Sequence, residues 1–339
     1  MKTVILDAPG RLVVAETPEP PEPGENEVVV RVRRVGVCGT DIHAFRGEQP
    51  FFSYPRILGH ELGVEVERVG PGVTRVQPGD RCAVEPYINC GRCPACLLGR
   101  TNCCETLKCL GVHADGGMRE RIVLPANKVH RSETLSLEAL ALVETLGIGK
   151  HAVDRSGVTE GETVAVIGLG PIGLTVAQFA LIAGARVVGV DVGAERAAAA
   201  ENLLGIETLR IDPSRPLSDQ WREGVGLPLL KVFDATGSRA SMQSAFTLPT
   251  NGGTLTFVGL VTGELIFNDP EFHRRELSVL ASRNSVGQDF EDIIAHLEAG
   301  RIDTASWITH RTDAARWPDV FEGWLEPGAG LLKGVIAFD

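Results

Sequence analysis

The fold of this chain is decided by Thr163–Gly173, which reads TVAVIGLGPIG. An apolar strand, Thr163–Ile167, leads into the pattern G-x-G-x-x-G, and the helical stretch Ile172–Ala183 follows. In such a unit the first glycine permits a tight turn, the second lets the backbone approach a pyrophosphate, and the third lets helix and strand pack closely. The helix N-terminus adds unpaired N–H groups. The alternative is a plain glycine turn in an α/β core. The pattern predicts a dinucleotide site formed by Gly168, Gly170, Pro171, Ile172 and Gly173.

A carboxylate follows the next strand, Arg186–Val190, at Asp191. In this position a carboxylate accepts hydrogen bonds from the adenosine ribose and repels a 2′-phosphate. We therefore predict NAD rather than NADP as the cofactor. Arg196, in the following helix Ala194–Leu204, is a second candidate contact and weakens this preference slightly.

The pattern of predicted strands, helices and turns differs on the two sides of Gly147. Beyond it, further strands at Val232–Ala235 and Gly253–Gly259 alternate with helical stretches, which indicates a doubly wound parallel sheet with helices on both faces. Before it, short strands such as Val28–Val32 and Val64–Val69 are separated by Pro-Gly turns. The fold class is α/β, with a β-rich domain and a Rossmann domain.

Composition and charge exclude several classes of function. The chain has 339 residues and a net charge of −11, so we expect neither nucleic acid nor an anionic membrane as a partner. The N-terminal apolar run ends at Asp7, too early for a signal peptide. The uncharged stretch Thr163–Ala185 contains four glycines and a proline, and is better explained by a strand, a turn and a helix than by a membrane span. We expect a cytoplasmic protein.

Five of the eight cysteines lie between Cys90 and Cys104, and without a secretion signal such clustering favours metal binding over disulfides. Four of them have the spacing C-x2-C-x2-C-x7-C and can surround one tetrahedral Zn²⁺, which leaves no position for a substrate. This zinc would be structural, the alternative being free buried thiols. Cys103 competes with Cys104 for the fourth place. The predicted ligands are Cys90, Cys93, Cys96 and Cys104.

A second metal site is predicted from residues that are dispersed along the chain. Cys38 lies in VCGTDIH, and His60 and Glu61 lie in GHE. One thiolate, one imidazole and one or two carboxylates form an open zinc site whose remaining position accepts a substrate oxygen. The alternative is a core thiol and a structural histidine.

These motifs, in this order, resemble those of the zinc-containing medium-chain dehydrogenases, which include alcohol, sorbitol and threonine dehydrogenases. The resemblance covers essentially the whole chain. It implies a GroES-like catalytic domain, residues 1–147 and 285–339, that carries the zinc loop 90–104. An NAD-binding Rossmann domain, residues 148–284, interrupts it. The resemblance also implies two zinc ions per subunit and a homodimer or homotetramer, with Thr254–Val258 as the edge strand that pairs the sheets.

The resemblance further implies a role for individual residues. Cys38 and His60 would be catalytic ligands, and Glu61 a ligand that comes and goes during turnover. The remaining ligand position falls on Glu144, which is followed by Thr145 where the polyol branch has proline. Binding through a water, or pairing with an arginine, is the alternative for Glu144. Family spacing also favours Cys104 over Cys103.

The proton path is implied by the same motif. Thr40 matches the hydroxyl that takes the alcohol proton, and His43 matches the relay that passes it on. A purely structural histidine is the alternative for His43.

Finer similarities concern the substrate. The stretches 47–55, 111–117, 268–273 and 281–284 resemble the branch that acts on sugar acids of the L-galactonate type, which implies an aldonate oxidised at C5. Arg283 falls where the polyol branch holds substrate hydroxyls. Polyol or L-threonine oxidation is the alternative substrate class. For the function as a whole, the alternatives are a metal-free reductase and an inactive NAD-binding relative. Further substrate-binding candidates are Glu144, Arg119, Arg46 and Arg274.

Overall fold

A computed structural model describes residues 1–49 and 52–339. Pro50 and Phe51, which belong to the stretch 47–55 compared above, lie outside the described residues. The chain forms two compact units: residues 1–145 together with 285–339, and residues 146–284.

The first unit is built mainly of strands. Its elements before the second unit are β1 (Lys2–Ala8), β2 (Arg11–Glu16), β3 (Glu27–Val37), α1 (Gly39–Phe45), β4 (Glu61–Val69), β5 (Arg81–Val84), β6 (Tyr87–Ile88), α2 (Pro94–Leu97), β7 (Lys108–Cys109), β8 (Arg121–Pro125), β9 (Val129–Ser132) and α3 (Leu137–Ser156), which continues into the second unit.

The second unit alternates strands and helices. Its elements are β10 (Thr163–Ile167), α4 (Pro171–Ile182), β11 (Arg186–Asp191), α5 (Ala194–Leu204), β12 (Glu207–Arg210), α6 (Leu217–Gly224), β13 (Lys231–Asp234), α7 (Arg239–Ala245), β14 (Thr254–Phe257), α8 (Asp269–Arg274) and β15 (Ser278–Ala281). The chain then returns to the first unit with α9 (Gly287–Glu298), β16 (Ile308–Asp313), α10 (Trp317–Trp324) and β17 (Lys333–Ala337).

A seven-stranded sheet organises the first unit, with a path β16-β17-β3-β4-β5-β9 and β8 paired with β3. The long strand β3 is antiparallel to β4, and Gly36 lies opposite Glu61 in their register. Alternating valines of β3, including Val28, Val30 and Val32, are fully buried in the core. This register brings the end of β3 and the start of β4 to the same place, which is where the metal cluster described below forms.

The second unit contains a six-stranded parallel sheet with the order β12-β11-β10-β13-β14-β15. This is the 3-2-1-4-5-6 order of a Rossmann sheet, so the predicted fold class is confirmed. The central strand β10 is an almost continuous apolar run, as expected where helices cover both faces.

The edge strand predicted for oligomerisation is wrong. Thr254–Val258 contains β14, which pairs with β13 on one side and with β15 on the other. Both hydrogen-bonding sides of β14 are therefore occupied, and among the described strands the open edge at this end of the sheet belongs to β15.

The uncharged stretch 163–185 forms β10, the glycine turn and α4. Throughout residues 1–49 and 52–339, no helix has both the length and the apolar character needed to cross a bilayer.

Candidate active site and metal centres

The first metal cluster begins where β3 ends. Cys38 adopts an extended conformation and caps α1, whose third residue, Asp41, accepts a hydrogen bond from the Cys38 amide at 3.0 Å. Asp41 is buried, and its second carboxylate oxygen, Oδ1, lies 4.0 Å from Nδ1 of His60. The turn therefore fixes Cys38 and aims a carboxylate at the imidazole of His60.

Two glycines make room for the carboxylates of the cluster. A Cβ on Gly36 would lie 2.0 Å from Oε2 of Glu61, its partner in the β3–β4 register. A Cβ on Gly63 would lie 2.0 Å from the carbonyl oxygen of Leu137, at the start of α3. These close approaches let α3 pack on β4 and bring Glu144 into the same region as Glu61.

Ligand atoms of Cys38, His60 and Glu61 all lie within 4.8 Å of one another. His60 and Glu61 are buried, and Nδ1 of His60 is buried without a hydrogen-bond partner among the described residues. Burial alone lowers the pKa of His60, but the nearby Cys38 and Asp41 outweigh it and raise this pKa well above its ordinary value. The chemistry of the donors, sulfur, nitrogen and oxygen, suits Zn²⁺.

Buried acidic groups outnumber buried bases around the cluster. Burial raises the pKa of Asp41 and of Glu144, as expected where negative charge lacks compensation. A divalent cation supplies the compensating charge, so the residues fit a zinc ion. The buried acids are Asp41, Glu61 and Glu144, the buried bases are His60 and Lys333, and the thiol of Cys38 beside them is half-buried.

Lys333, which the sequence did not point to, holds Glu61. Its Nζ donates to both carboxylate oxygens of Glu61, at 2.7 and 2.9 Å, and to Oγ1 of Thr145 at 3.1 Å. Burial lowers the pKa of Lys333, but the charge of Glu61 outweighs it and raises this pKa. A lysine at the start of an apolar strand was a hint that a buried acid pairs with it. The sequence did not identify Glu61 as that acid, because Lys333 and Glu61 are far apart along the chain.

Glu144 is buried on α3, outside the compact three-residue cluster. Its partner is the phenol of Tyr87, which donates to Oε1, and not an arginine. Burial is the main cause that raises the pKa of Glu144, and Glu61 adds to it while His60 opposes it. Sequence analysis also did not identify Tyr87 as a functional residue, because this tyrosine, which follows Glu85-Pro86, belongs to no recognisable motif.

The proton-relay candidates lie on α1. Thr40 is partly buried and His43 is exposed. Nδ1 of His43 lies within hydrogen-bond distance of Oε2 of Glu48, at 3.2 Å, a contact that the sequence did not indicate. Helix α1 therefore presents Thr40 one turn before a histidine that reaches solvent.

The four-cysteine loop closes on itself. The Sγ atoms of Cys90, Cys93, Cys96 and Cys104 all lie within 4.8 Å of one another. The amide of Cys90 donates to Sγ of Cys104 at 3.3 Å, and the amide of Cys93 donates to Sγ of Cys90 at 3.4 Å. Such amides lower the pKa of Cys90 to about 6 and also lower that of Cys104. Cys103 is exposed and outside the cluster, so the geometry selects Cys104.

The glycine turn has the geometry that its motif predicts. Gly168 has a φ of 88°, and a Cβ on Gly173 would lie 1.7 Å from the carbonyl oxygen of Gly168. A Cβ on Gly170, by contrast, would meet nothing within 4 Å. Gly170 is the N-cap of α4, and Pro171 is its first residue. The turn thus leaves open space at a helix N-terminus, which fits a pyrophosphate.

Asp191 lies at the end of β11, beside this turn. Its carboxylate accepts from the amide of Leu169 at 2.8 Å and from the amide of Gly193 at 2.7 Å. An ionised carboxylate has about four lone-pair sites, so it can accept further hydrogen bonds. Arg196 is exposed on α5, and its Cγ would lie 3.9 Å from a Cβ on Gly193. The side chain of Arg196 therefore starts close to the Asp191 turn.

The candidate substrate arginines belong to both units, Arg46 and Arg119 to the first and Arg274 and Arg283 to the second. Arg119 pairs with Thr3 across an isolated β-bridge, and burial lowers the pKa of its guanidinium while Asp115 raises it. Neither neighbour belongs to the metal cluster. Arg274 forms an ion pair with Glu271 at 2.8 Å, and Arg283 and Arg46 are exposed.

Comparison with known proteins identifies the family. The alcohol dehydrogenase GroES-like domain matches residues 24–134, and the zinc-binding dehydrogenase domain matches residues 171–299. L-galactonate-5-dehydrogenase of Escherichia coli K12 is 41% identical over 340 residues, covering 100% of this chain and 99% of that protein.

Two solved structures are also similar. An alcohol dehydrogenase from E. coli CFT073 complexed with NADH has a TM-score of 0.92 and 30% identity, over 100% of this chain and 99% of that one. A zinc-binding dehydrogenase from Sinorhizobium meliloti 1021 bound to NADP has a TM-score of 0.89 and 32% identity, over 99% of each chain.

The chain therefore belongs to the zinc-binding alcohol dehydrogenase family, in its polyol and sugar-acid dehydrogenase group, and it is a dehydrogenase. The resemblance inferred from the motifs is confirmed.

Proposed function

We propose that this protein oxidises a secondary alcohol of a polyhydroxylated small molecule to a ketone, with NAD as the acceptor. The favoured substrate is an aldonate of the L-galactonate type, oxidised at C5. The observation that carries the proposal is the cluster of the half-buried Cys38 with the buried His60 and Glu61, whose sulfur, nitrogen and oxygen donors suit a zinc ion. The similarity to L-galactonate-5-dehydrogenase supports the substrate.

We assign the cofactors to particular residues. Cys38 and His60, with Glu61 or Glu144, would hold a catalytic zinc, and the four-cysteine loop a structural one. The glycine turn and Asp191 would hold NAD, and the open space at Gly170 supports this. When bound, zinc supplies the positive charge that stabilises a deprotonated alcohol, and NAD accepts the hydride.

The chain's own residues would move the proton and hold a metal ligand in orientation. Thr40 would take the proton of the substrate hydroxyl, and His43 would pass it to solvent, which its exposure allows. Asp41 would hold the ring of His60 in orientation, as carboxylates next to metal-binding histidines commonly do. The domain assignment follows the predicted one, residues 1–147 with 285–339 for catalysis and 148–284 for NAD.

The thiol clusters and the open sheet edge bear on the location and the oligomeric state of the enzyme. We propose a cytoplasmic location, because both metal clusters require reduced thiols. We also propose a homodimer or homotetramer, with β15 and not β14 as the strand that pairs between subunits, since β15 has the open edge.

A substrate panel tests the function. Sugar acids, polyols and L-threonine are mixed with the enzyme and either NAD or NADP, and the absorbance of the reduced cofactor is followed. We expect the fastest reaction with an L-galactonate-type acid and NAD. Preference for sorbitol or L-threonine would reassign the substrate, and inactivity with every alcohol would favour an NAD-binding relative without catalysis.

The variant Cys38→Ser tests the metal cluster. We expect turnover to fall to background while NAD binding, measured by fluorescence titration, stays within about twofold, because the glycine turn is unchanged. Cys103→Ser, which changes an exposed thiol outside both clusters, is the matched control. Full activity of Cys38→Ser would favour a metal-free reductase.

A further inference from the structure

The first unit contains a cavity that the proposed function does not use. Its volume is about 410 Å³, within the range of about 300 to 1,000 Å³ that is usual for small-molecule sites. None of its lining residues is a candidate zinc ligand, relay or cofactor residue. The cavity, here called the His130 cavity, is lined by Arg75 and Val76 before β5, His130 and Arg131 of β9, and Glu291 and Ile294 of α9.

His130 is the buried polar side chain of this cavity. It is 3% exposed, and neither of its ring nitrogens has a hydrogen-bond partner among the described residues. Nε2 lies 3.5 Å from Oε2 of Glu85, and Nδ1 lies 3.8 Å from Oε1 of Glu291, but neither contact is a hydrogen bond. Buried polar atoms in folded proteins nearly always have a partner. Because Glu291 lines the cavity, Nδ1 is directed toward the space that a ligand would occupy.

The ring of His130 is held in this position by α9. It stacks on Phe290, with ring centroids 5.0 Å apart. Gly287, the first residue of α9, permits the close approach, since a Cβ there would lie 3.5 Å from Cε1 of His130 and 3.2 Å from Oε2 of Glu85. The unpartnered imidazole is therefore a fixed feature of the cavity wall.

The charges around the cavity are balanced. Nη2 of Arg75 lies 3.5 Å from Oε1 of Glu291, and both side chains are partly exposed. The other charged groups nearby are also paired, Arg131 with Asp80 and Glu133, and Lys128 with Glu85. Among the described residues, each cation of this region thus has an acidic partner. An anionic ligand would have to displace one of these acids, whereas an uncharged ligand would not.

We propose that the His130 cavity binds an uncharged, hydroxyl-rich small molecule, a polyol or a sugar. A hydroxyl both donates and accepts, and a neutral imidazole has one nitrogen of each kind. The guanidinium of Arg75 adds donors and the carboxylate of Glu291 adds acceptors. Val76 and Ile294, each 6% exposed, provide an apolar wall for the carbon chain of such a ligand. This site goes beyond the proposed function and does not depend on the catalytic zinc.

The test is a titration with sorbitol, followed by NMR of the imidazole Cε1–H groups. The chain has eight histidines, so isotope labelling of histidine gives a spectrum in which each ring can be followed. His130→Phe identifies the signal of His130 and keeps an aromatic ring against Phe290. We expect this signal to shift saturably with sorbitol. A signal that does not move would mean that water alone fills the cavity, and would overturn the proposal.

D-gluconate tests the charge of the ligand, because it replaces one terminal hydroxymethyl group of sorbitol with a carboxylate. We expect it to bind at least about tenfold more weakly than sorbitol, since burying an unpaired charge is costly. Equal or tighter binding of D-gluconate would overturn the assignment of an uncharged ligand.

Glu291→Gln tests the lining. It removes a charged acceptor, so the Kd for sorbitol should rise about fivefold or more. It also leaves Arg75 without its acid, so the preference should move toward D-gluconate. Asp292→Asn is the matched control, because Asp292 is the next residue of α9 and lies outside the lining. Its Kd should stay within about twofold. Equal weakening in both variants would indicate a general effect on α9 and would overturn the proposal.

Failure of the proposed function gives a different result. In Cys38→Ser the signal of His130 should still shift, with the same Kd for sorbitol. If the shift is lost there, it comes from the catalytic centre, and the cavity proposal is wrong. If the signal never moves while NAD is reduced by an alcohol, the cavity proposal alone is wrong. A protein that shows the shift but oxidises no alcohol supports the cavity and refutes only the proposed function.

Discussion

At the scale of the residue, Asp191 combines a structural and a proposed binding role. Its two carboxylate oxygens accept hydrogen bonds from the amides of Leu169 and Gly193, which ties the glycine turn to the end of β11. The same carboxylate would repel the 2′-phosphate of NADP. Relatives of this chain bind either cofactor, since one similar structure holds NADH and another NADP. The choice in this chain is therefore worth testing at Asp191 itself.

We expect Asp191→Asn to weaken NAD binding by about 10- to 100-fold, because hydrogen bonds to a charged group contribute about 1.5–3 kcal/mol. Asparagine keeps the shape of the side chain, so NADP binding should not fall with it, and the ratio of the two Kd values should shift toward NADP. Fluorescence titration with both reduced cofactors measures this ratio. Glu195→Gln, an exposed acid on α5, is the control for loss of charge alone. An unchanged ratio in Asp191→Asn would count against the assigned role.

Some residues of the candidate site could be predicted from the sequence and others could not. Cys38, His60 and Glu61 could be predicted because each lies in a short motif. Lys333 and Tyr87 could not, since each meets its carboxylate partner only after the chain has folded. A lysine or tyrosine in an apolar stretch predicts a partner but does not say which one.

At the scale of the element, the four-cysteine loop is locally encoded. All four thiols lie within fifteen residues, so short-range turns are enough to bring them together. The turns also place backbone amides on the sulfur atoms, which lowers the pKa of Cys90 to about 6 and prepares it as a thiolate near neutral pH. For the fourth ligand the resemblance favoured Cys104 over its neighbour Cys103, and in the structure Cys104 lies with the other three thiols while Cys103 is exposed.

Cys104→Ser and Cys103→Ser form a matched pair for this loop. We expect Cys104→Ser to lose about one zinc per chain and to lower the Tm, because a structural zinc binds the folded state only. Cys103→Ser should keep its zinc, since its thiol is exposed and outside the cluster. Elemental analysis and thermal unfolding measure both properties. The reverse result, with metal lost from Cys103→Ser, would assign the fourth ligand to Cys103.

At the scale of the whole molecule, the parallel sheet presents an open edge. In the described residues β15 pairs only with β14, and Val279 on β15 has 39% of its surface exposed. An exposed edge with apolar side chains is a template for pairing with another chain. The proposed oligomer uses this edge.

Val279→Lys should favour the monomer, because a lysine on an edge strand opposes strand pairing. Light scattering should then give a mass near 36.3 kDa, where the proposed oligomer would give a multiple of it. Leu230→Lys is the matched control, since Leu230 is similarly exposed, at 46%, but lies outside β15. A Val279→Lys protein that keeps the mass of the unchanged protein would exclude β15 as the interface.

The sequence by itself determined the features whose parts are close along the chain. The glycine turn, the four-cysteine loop, the strand alternation of the Rossmann unit and the family all follow from short patterns, because local spacing is enough to set their geometry. Only the tertiary structure decided which strand is the edge and which donor holds each buried carboxylate. These features depend on contacts between segments that are distant along the chain. Such contacts form only when the core packs, and no local pattern in the sequence predicts them.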